Sequence, residues 1–119
     1  MYSTFAWAKQ SKEGTFEKIE IERNTDKEKD VTFELKYCGI CHSDVHVAEN
    51  MFGSTNYPCV PGHELAGVVT SVGDEVTKVK IGDKVGVGCF VDSCRDCYQC
   101  NQGEEQFCEK GIKLKEEKR

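Results

Sequence analysis

The sequence has little of what a membrane or secretory segment needs. No apolar run approaches the ~20 residues that cross a bilayer as a helix, and residues 1–10 lack the basic start and apolar core of a signal peptide. Positive charge is also in the minority, with 16 lysines and arginines against 21 acidic residues and a net charge of −5. This balance disfavours a nucleic-acid or acidic-membrane surface. We therefore expect a cytoplasmic protein with neither kind of partner.

Helical periodicity and nucleotide-binding glycines are scarce as well. No G-x-G-x-x-G motif occurs, so the sequence carries no fingerprint of a Rossmann cofactor domain. One short helix is predicted over residues 43–50, because Ser43 and Asp44 both suit an N-cap. The charged residues 113–119 are predicted to form a frayed tail.

Strand patterns dominate the rest of the chain. Residues 15–22 and 31–37 alternate between apolar and polar side chains, as half-buried strands do. Residues 65–72 form a nearly continuous apolar run, which predicts a strand buried on both faces. A Gly-Asp turn then leads into a strand over residues 84–89. Short strands separated by glycine turns predict a mainly β fold, either a barrel or a sandwich.

The sequence is rich in cysteine, with eight in 119 residues. Four of them follow the pattern Cys94-x2-Cys97-x2-Cys100-x7-Cys108, within a polar segment that has no core of its own. Four thiolates complete a tetrahedral zinc shell, and such a segment needs a metal to become ordered. The spacing therefore predicts one structural zinc ion.

Two alternatives to zinc stay open for this cluster. An iron–sulfur cluster also uses closely spaced cysteines, but its usual pattern continues with three residues and then Cys-Pro. Here seven residues intervene, and Glu109 follows the last cysteine. Disulfides are the other alternative, and a reducing cytoplasm disfavours them.

A second possible metal site consists of Cys41, His63 and Glu64. Cysteine, histidine and carboxylate are the ligand types of a catalytic zinc. Their spacing alone is weak evidence, because a single histidine or free cysteine is more often a packing or surface residue.

Longer motifs strengthen this second site. They are Cys-Gly-Ile-Cys-His-Ser-Asp at 38–44, Pro-Gly-His-Glu-Leu-Ala-Gly at 61–67 and Gly-Asp-Lys-Val at 82–85, followed by the four-cysteine cluster. Together they resemble the zinc-dependent medium-chain alcohol dehydrogenases over about residues 5–111. The residues of these motifs are most similar to those of the cinnamyl alcohol dehydrogenase branch.

The resemblance implies an incomplete GroES-like catalytic domain over residues 1–119. Its fold would be a truncated, partly closed β-barrel with a few short helices and a loop-rich structural-zinc lobe at about 89–111. Cys94, Cys97, Cys100 and Cys108 would bind the structural zinc. Cys41 and His63 would bind a catalytic zinc, with Glu64 beside it and sometimes binding it.

The resemblance also implies three roles around the catalytic zinc. Asp44 would hold His63 in position, and Ser43 would pass the substrate hydroxyl proton toward His46. Zinc would activate the alcohol, and hydride would go to NADP or NAD in a complete family member. The branch favours NADP, and the substrate would be a small alcohol or aldehyde.

Each of these residues also has a purely structural interpretation. Ser43 could cap a helix, and His46 could be a surface residue, as we expect of His42. The resemblance gives no metal role to Cys38, Cys59 and Cys89, which we interpret as packing residues. Gly62, Gly67 and Gly73 are interpreted as glycines that allow unusual backbone angles or close packing.

The sequence departs from the family in ways that bear on activity. It stops before the third catalytic cysteine ligand, the later barrel strands and the Rossmann domain. We therefore expect the isolated chain to bind zinc without catalysing hydride transfer, and to self-associate through open sheet edges. A zinc-binding interaction module without catalysis is the main alternative function, and an iron–sulfur or redox protein is the third.

Overall fold

The computed structural model of the protein describes residues 1–115. These residues form seven strands, two short α-helices and one 3-10 turn. In chain order the elements are β1 (Tyr2–Lys9), β2 (Phe16–Arg23), β3 (Val31–Gly39), α1 (His42–Ala48), β4 (Glu64–Val72), β5 (Lys84–Val87), β6 (Phe90–Asp92), α2 (Tyr98–Asn101), the 3-10 turn (Glu105–Phe107) and β7 (Lys113–Leu114).

The strands pair into three small antiparallel sheets. β1 and β2 form a hairpin, β4 lies between β3 and β5, and β6 pairs with β7. The end of β1 also joins the loop before β4, because Lys9 and Cys59 exchange backbone hydrogen bonds of 3.0 and 2.8 Å. The mainly β prediction is therefore confirmed, and no closed barrel forms within residues 1–115.

The predicted strands exist, but two burial predictions were wrong. In β3, Leu35 and Tyr37 are 50% and 78% exposed, although their alternation predicted a buried face. Irregularities in the β3–β4 register on either side of residues 33–35 break that alternation. In β4, Ala66 and Thr70 are exposed, so this strand is not buried on both faces. An apolar run indicates a strand, but burial also depends on what packs over it.

Two glycines allow close backbone approach, as their interpretation requires. A β-carbon on Gly67 would collide with the carbonyl oxygen of Glu34 in the neighbouring strand. A β-carbon on Gly73 would collide with the Lys27 carbonyl oxygen, and the Gly73 amide donates to the Asp30 carbonyl at 2.8 Å. Gly67 thus lets β3 pack closely against β4, and Gly73 lets the 24–30 connection pack against the end of β4.

A carboxylate reinforces the same contact. Asp26 accepts hydrogen bonds from the hydroxyls of Thr32 in β3 and Ser71 in β4. The two bonds, that from Ser71 first, lower the pKa of Asp26 below its ordinary value of 3.8. The charged segment before β3 therefore has a structural role that its polar composition did not indicate.

The helix and the tail also differ from prediction. Cys41 is the N-cap of α1, which places Ser43 and Asp44 inside the first turn rather than at the cap. Lys113 and Leu114 are not frayed, because they pair with Asp92 and Phe90 of β6. Residues 116–119, the rest of the predicted tail, lie outside the described part of the chain. No helix within residues 1–115 is long and apolar enough to span a membrane.

The core of the described chain is small. Its buried apolar residues are Ala8, Ala48, Cys59, Val69 and Cys108. Large side chains such as Trp7, Leu35 and Phe90 are at least half exposed. Little apolar area is therefore available to position the segments that carry the chemistry, and local hydrogen bonds must contribute to that task.

Candidate metal sites

The four clustered cysteines converge on one point. Cys94 follows β6, Cys97 is the N-cap of α2, Cys100 lies within α2, and Cys108 ends the 3-10 turn. Their sulfur atoms all lie within 4.8 Å of one another, and the Sγ atoms of Cys94 and Cys100 are 3.8 Å apart.

This geometry fits zinc. Tetrahedral zinc with Zn–S bonds of about 2.3 Å requires sulfur–sulfur separations of about 3.8 Å. Backbone amides also face the sulfurs: the N–H groups of Asp96 and Cys97 lie 3.4 and 3.3 Å from Cys94 Sγ, and that of Cys94 lies 3.4 Å from Cys108 Sγ. Such donors stabilise thiolates, which are the form that binds metal.

The thiol pKa values diverge, as expected for interacting groups. The amides of Asp96 and Cys97 lower the pKa of Cys94 to about 6. The amides of Glu109 and Cys100 lower the pKa of Cys97. The Ser93 hydroxyl favours the Cys100 thiolate, but burial and the neighbouring Cys97 thiol outweigh it and raise the pKa of Cys100 to about 11. Binding a metal at all four sulfurs would therefore release protons.

Cys41, His63 and Glu64 form the second group, and their ligand atoms also lie within 4.8 Å of one another. Cys41 lies two residues after β3, and Glu64 opens β4 with His63 immediately before it. The antiparallel β3–β4 register pairs Gly39 with Glu64. The sheet thus brings together ligands that are distant in sequence.

Gly39 has a specific role here that the sequence analysis missed. A β-carbon at this position would collide with the Glu64 carboxylate and lie 3.0 Å from Glu64 Cβ. The glycine therefore leaves the space that the carboxylate occupies beside Cys41. The register of the two strands, which the local sequence does not reveal, is the only signal that could have identified it.

Asp44 lies between Cys41 and His63. Its Oδ2 accepts a 2.9 Å hydrogen bond from the Cys41 amide, and its Oδ1 lies 3.1 Å from His63 Nδ1. That Oδ1 is closed to solvent, and the imidazole is near enough for a hydrogen bond although not aligned for a good one. A proton on Nδ1 leaves Nε2 of His63 as the metal-binding nitrogen.

The Ser43 hydroxyl faces the same ligand pair. Its Oγ donates to Cys41 Sγ at 3.2 Å and lies 3.4 Å from His63 Nε2. The Ser43 contacts, and after them His63, lower the pKa of Cys41 below its ordinary value. The helix-capping interpretation of Ser43 was therefore wrong.

His46 lies apart from this group. Its Nδ1 is 2.9 Å from Met51 Sδ, and its ring packs against His42 and Phe52 at centroid distances of 4.6 and 5.5 Å. Within the described residues no hydrogen bond joins His46 to Ser43. A direct proton transfer between them has no path in this arrangement.

Three cysteines belong to neither metal cluster. Cys59 is buried, as its packing interpretation requires, and Cys89 is half-buried. Cys38 is exposed, which contradicts that interpretation.

Gly62 has a φ of 125°, and a β-carbon there would lie 2.8 Å from Cys38 Sγ. Lys115 Nζ donates to the Val60 carbonyl at 3.3 Å, a contact that the charged tail did not predict.

The small sheets, the four-sulfur lobe and the Cys41–His63 pair define a domain of the GroES-like class. A family model for the alcohol dehydrogenase GroES-like domain matches residues 27–115. The chain therefore belongs to the alcohol dehydrogenase GroES-like domain family.

Individual relatives agree with this assignment. The chain is 51% identical over 111 residues to NADP-dependent alcohol dehydrogenase C from Mycobacterium bovis, covering 93% of this chain and 32% of that protein. It is 51% identical over 104 residues to cinnamyl alcohol dehydrogenase 2 from Rauvolfia serpentina, covering 87% and 29%. The chain thus spans about a third of the length of these curated relatives.

Solved structures give the same result. A cinnamyl alcohol dehydrogenase (SbCAD4) from Sorghum bicolor matches with a TM-score of 0.88 and 45% identity, over 95% of this chain and 32% of that chain. A cinnamyl alcohol dehydrogenase from Helicobacter pylori, complexed with NADP(H), matches with a TM-score of 0.87 and 43% identity, over 94% and 32%. The resemblance to the cinnamyl alcohol dehydrogenase branch is confirmed.

Proposed function

We propose that this chain binds one structural zinc ion and one catalytic zinc ion, and that it contributes the catalytic-zinc side of an alcohol dehydrogenase. The observation that carries the proposal is the convergence of Cys41, His63 and Glu64 around the Ser43 hydroxyl, with Asp44 behind His63. The Ser43–Cys41 and Asp44–His63 contacts go beyond the capping box that Cys41 and Asp44 form at the start of α1.

Each residue of the catalytic group has a separate role. Cys41 and His63 are the ligands, and Asp44 orients the imidazole while its charge favours a protonated Nδ1. Zinc held there supplies Lewis-acid polarisation of a substrate oxygen. The Ser43 hydroxyl lies against both ligand atoms, so it is placed to accept the proton of a substrate hydroxyl. His46 can receive that proton only through an intervening group.

We place these residues in a longer enzyme that interconverts small alcohols and aldehydes in the cytoplasm with NADP. The names of the Mycobacterium bovis relative and of the Helicobacter pylori structure support NADP. In this proposal, residues 1–119 are part of the catalytic domain. The 119-residue chain taken by itself binds zinc but does not turn over substrate, because hydride transfer needs a positioned nicotinamide.

Metal analysis of the purified chain tests the zinc proposal. We expect two zinc ions per chain, with one lost in Cys41→Ala and the other lost in Cys94→Ala. Cys38→Ala is the matched control, since Cys38 is exposed and belongs to neither cluster. A single zinc that disappears only in Cys94→Ala would contradict the catalytic site and favour a zinc-binding interaction module.

A spectrophotometric assay tests the activity proposal. The isolated chain, fully loaded with zinc, should not oxidise NADPH in the presence of cinnamaldehyde or a small aliphatic aldehyde. Clear turnover that disappears in Cys41→Ala would show that residues 1–119 are sufficient, and would overturn the proposal for the isolated chain.

We also propose that the isolated chain self-associates through its sheet edges. β5 pairs with β4 on one side and with no strand on the other within the described residues, and β3 is the opposite edge of that sheet. Unpaired edges offer hydrogen-bonding groups to a second copy. Light scattering should show a molar mass that rises with protein concentration, whereas a constant monomer mass would argue against the interface.

A further inference from the structure

The residue immediately after the first lobe cysteine has an unusual backbone. Arg95 has a φ of 62°, in the left-handed region that favours glycine. A side chain there costs roughly 1–2 kcal/mol relative to a right-handed conformation. Some local interaction must therefore hold Arg95 in this conformation.

Asp92 provides that interaction. Its Oδ1 accepts hydrogen bonds from the Ser93 amide at 3.0 Å and from Arg95 Nε at 3.1 Å, and it forms an ion pair with Arg95 Nη2 at 2.8 Å. The guanidinium is thus bound through two of its nitrogens, and the backbone between the two residues is bound to the same oxygen. We call these contacts the Asp92–Arg95 clasp.

The left-handed residue determines where the next amides point. Immediately after Arg95, the N–H groups of Asp96 and Cys97 lie 3.4 and 3.3 Å from Cys94 Sγ. If residue 95 returned to an ordinary conformation, the chain would turn elsewhere and these amides would leave the sulfur. The clasp is therefore coupled to the geometry of a metal ligand.

We propose that Asp92 and Arg95 are positioning residues for the lobe zinc: their clasp stabilises the left-handed turn at residue 95 and so favours the conformation in which Cys94 binds the metal. The inference rests on the proposed structural zinc. An exposed ion pair by itself contributes little to stability. The clasp is more than such a pair, because Asp92 is only 26% exposed and its Oδ1 also binds the Ser93 amide, so the clasp can offset the left-handed conformation of Arg95.

Glycine separates the two contributions of Arg95. Arg95→Ala removes the clasp and keeps the cost of the left-handed conformation, so zinc binding must restore that conformation. Arg95→Gly removes the clasp and most of that cost. Lobe zinc affinity should fall about tenfold in Arg95→Ala and no more than about threefold in Arg95→Gly.

The affinities are measured by competition with a chromophoric chelator, using full-length chains that carry Cys41→Ala and His63→Ala so that only the lobe binds zinc. Asp92→Ala should weaken binding about tenfold in this background and change little when Arg95→Gly is also present. Asp83→Ala is the control, because it removes another exposed ion pair three residues apart, that with Lys80, away from the lobe. The melting temperature of the zinc-free chain should not move in any lobe variant.

Three results would overturn the inference. They are equal affinities in Arg95→Ala and Arg95→Gly, an unchanged affinity in Asp92→Ala, and a loss in Asp92→Ala that persists in full with Arg95→Gly. If the chain with Asp92 and Arg95 intact bound no zinc in its lobe, the proposed structural site would itself be wrong, which is a distinguishable failure.

Discussion

The two cysteine-containing sites of this chain are built in opposite ways. The lobe takes all its ligands from one short segment, Cys94 to Cys108, and its own backbone amides face the sulfurs. The Cys41–His63–Glu64 group takes its ligands from the ends of two strands, and side chains of α1 support them. In our proposal, the first site needs a metal to hold its segment together, whereas the second needs a sheet.

In our proposal, this difference also separates structural from catalytic use. Four sulfurs close the lobe and leave no position for a substrate. The second group offers three ligand residues, one of them the exposed Glu64, and a hydroxyl lies against the ligand pair. A site with an open position and a proton acceptor can perform chemistry. Its ligands come from segments that are distant in sequence, so it depends on the contacts between those segments.

The largest effect should follow loss of a lobe ligand. Cys108→Ala removes one of four sulfurs from a site of a kind that contributes about 10–16 kcal/mol, so lobe zinc affinity should fall by more than about a hundredfold. Competition with a chelator measures this change. Cys89→Ala is the matched control, since Cys89 lies five residues before the first clustered cysteine and belongs to neither metal cluster. An equal loss of lobe zinc affinity in both variants would contradict the assignment of Cys108 as a lobe ligand.

A glycine in the sheet should affect the other site selectively. Gly67→Ala drives a methyl group into the Glu34 carbonyl, so urea denaturation should show a loss of about 2–3 kcal/mol in the free energy of unfolding. Zinc at Cys41 and His63 should weaken with it, while the lobe zinc should not.

Gly88→Ala is the control for that substitution. A β-carbon on Gly88 meets no atom within 4 Å, so its effect should stay within about 0.5 kcal/mol. If Gly67→Ala left the catalytic zinc intact despite a destabilised sheet, the dependence of that site on the β3–β4 contact would be wrong.

A smaller effect is expected from the support behind His63. Asp44→Asn keeps an oxygen that can accept from the Cys41 amide, but it removes the charge that faces His63 Nδ1. Zinc affinity at the catalytic group should fall at least about tenfold, with the lobe unaffected. Isothermal titration calorimetry measures both sites. Asp74→Asn, at an exposed position, should change neither affinity.

The smallest effect is expected on the stability of the β3–β4 sheet, which should lose the contribution of Asp26 below about pH 4. Because hydrogen bonds from Ser71 and Thr32 lower the pKa of Asp26 below 3.8, its carboxylate stabilises the fold above that pH, and this stability is lost as the pH falls toward the folded-state pKa. Asp26→Asn should cost about 1 kcal/mol at pH 7, after allowance for solvent screening.

The difference in the free energy of unfolding between wild type and Asp26→Asn should shrink as the pH drops through 3.8. Urea denaturation at several pH values measures this difference. A difference that stays constant down to the lowest pH would show that the Asp26 charge is not what matters. Lobe zinc binding at pH 7 should be the same in both chains.

The same contrast explains what the sequence could predict. The convergence of the four lobe cysteines was predictable because their residue type and spacing and the polar composition of the segment are all local. The second group was identifiable from ligand type and family resemblance, but its supports were not. Gly39 makes room for Glu64 only because β3 and β4 pair in one register, and Lys115 reaches Val60 across a long stretch of sequence.

Strand prediction shows the same limit. The alternation of Ile19 and Ile21 with Glu20 and Glu22 correctly indicated β2 and its faces. β7 was missed because its charged residues resemble a tail, and only pairing with β6 makes them a strand. Leu35 and Tyr37 lie in a predicted strand yet remain exposed, since burial requires a covering element that alternation cannot specify.

Amide hydrogen exchange with and without zinc tests most directly the claim that the lobe depends on metal and the sheet does not. On chelation, amides between Cys94 and Cys108 should lose protection by at least about a hundredfold, while those paired between β3 and β4 keep theirs. Equal loss of protection in both regions would contradict the account, as would a lobe that stays protected without metal.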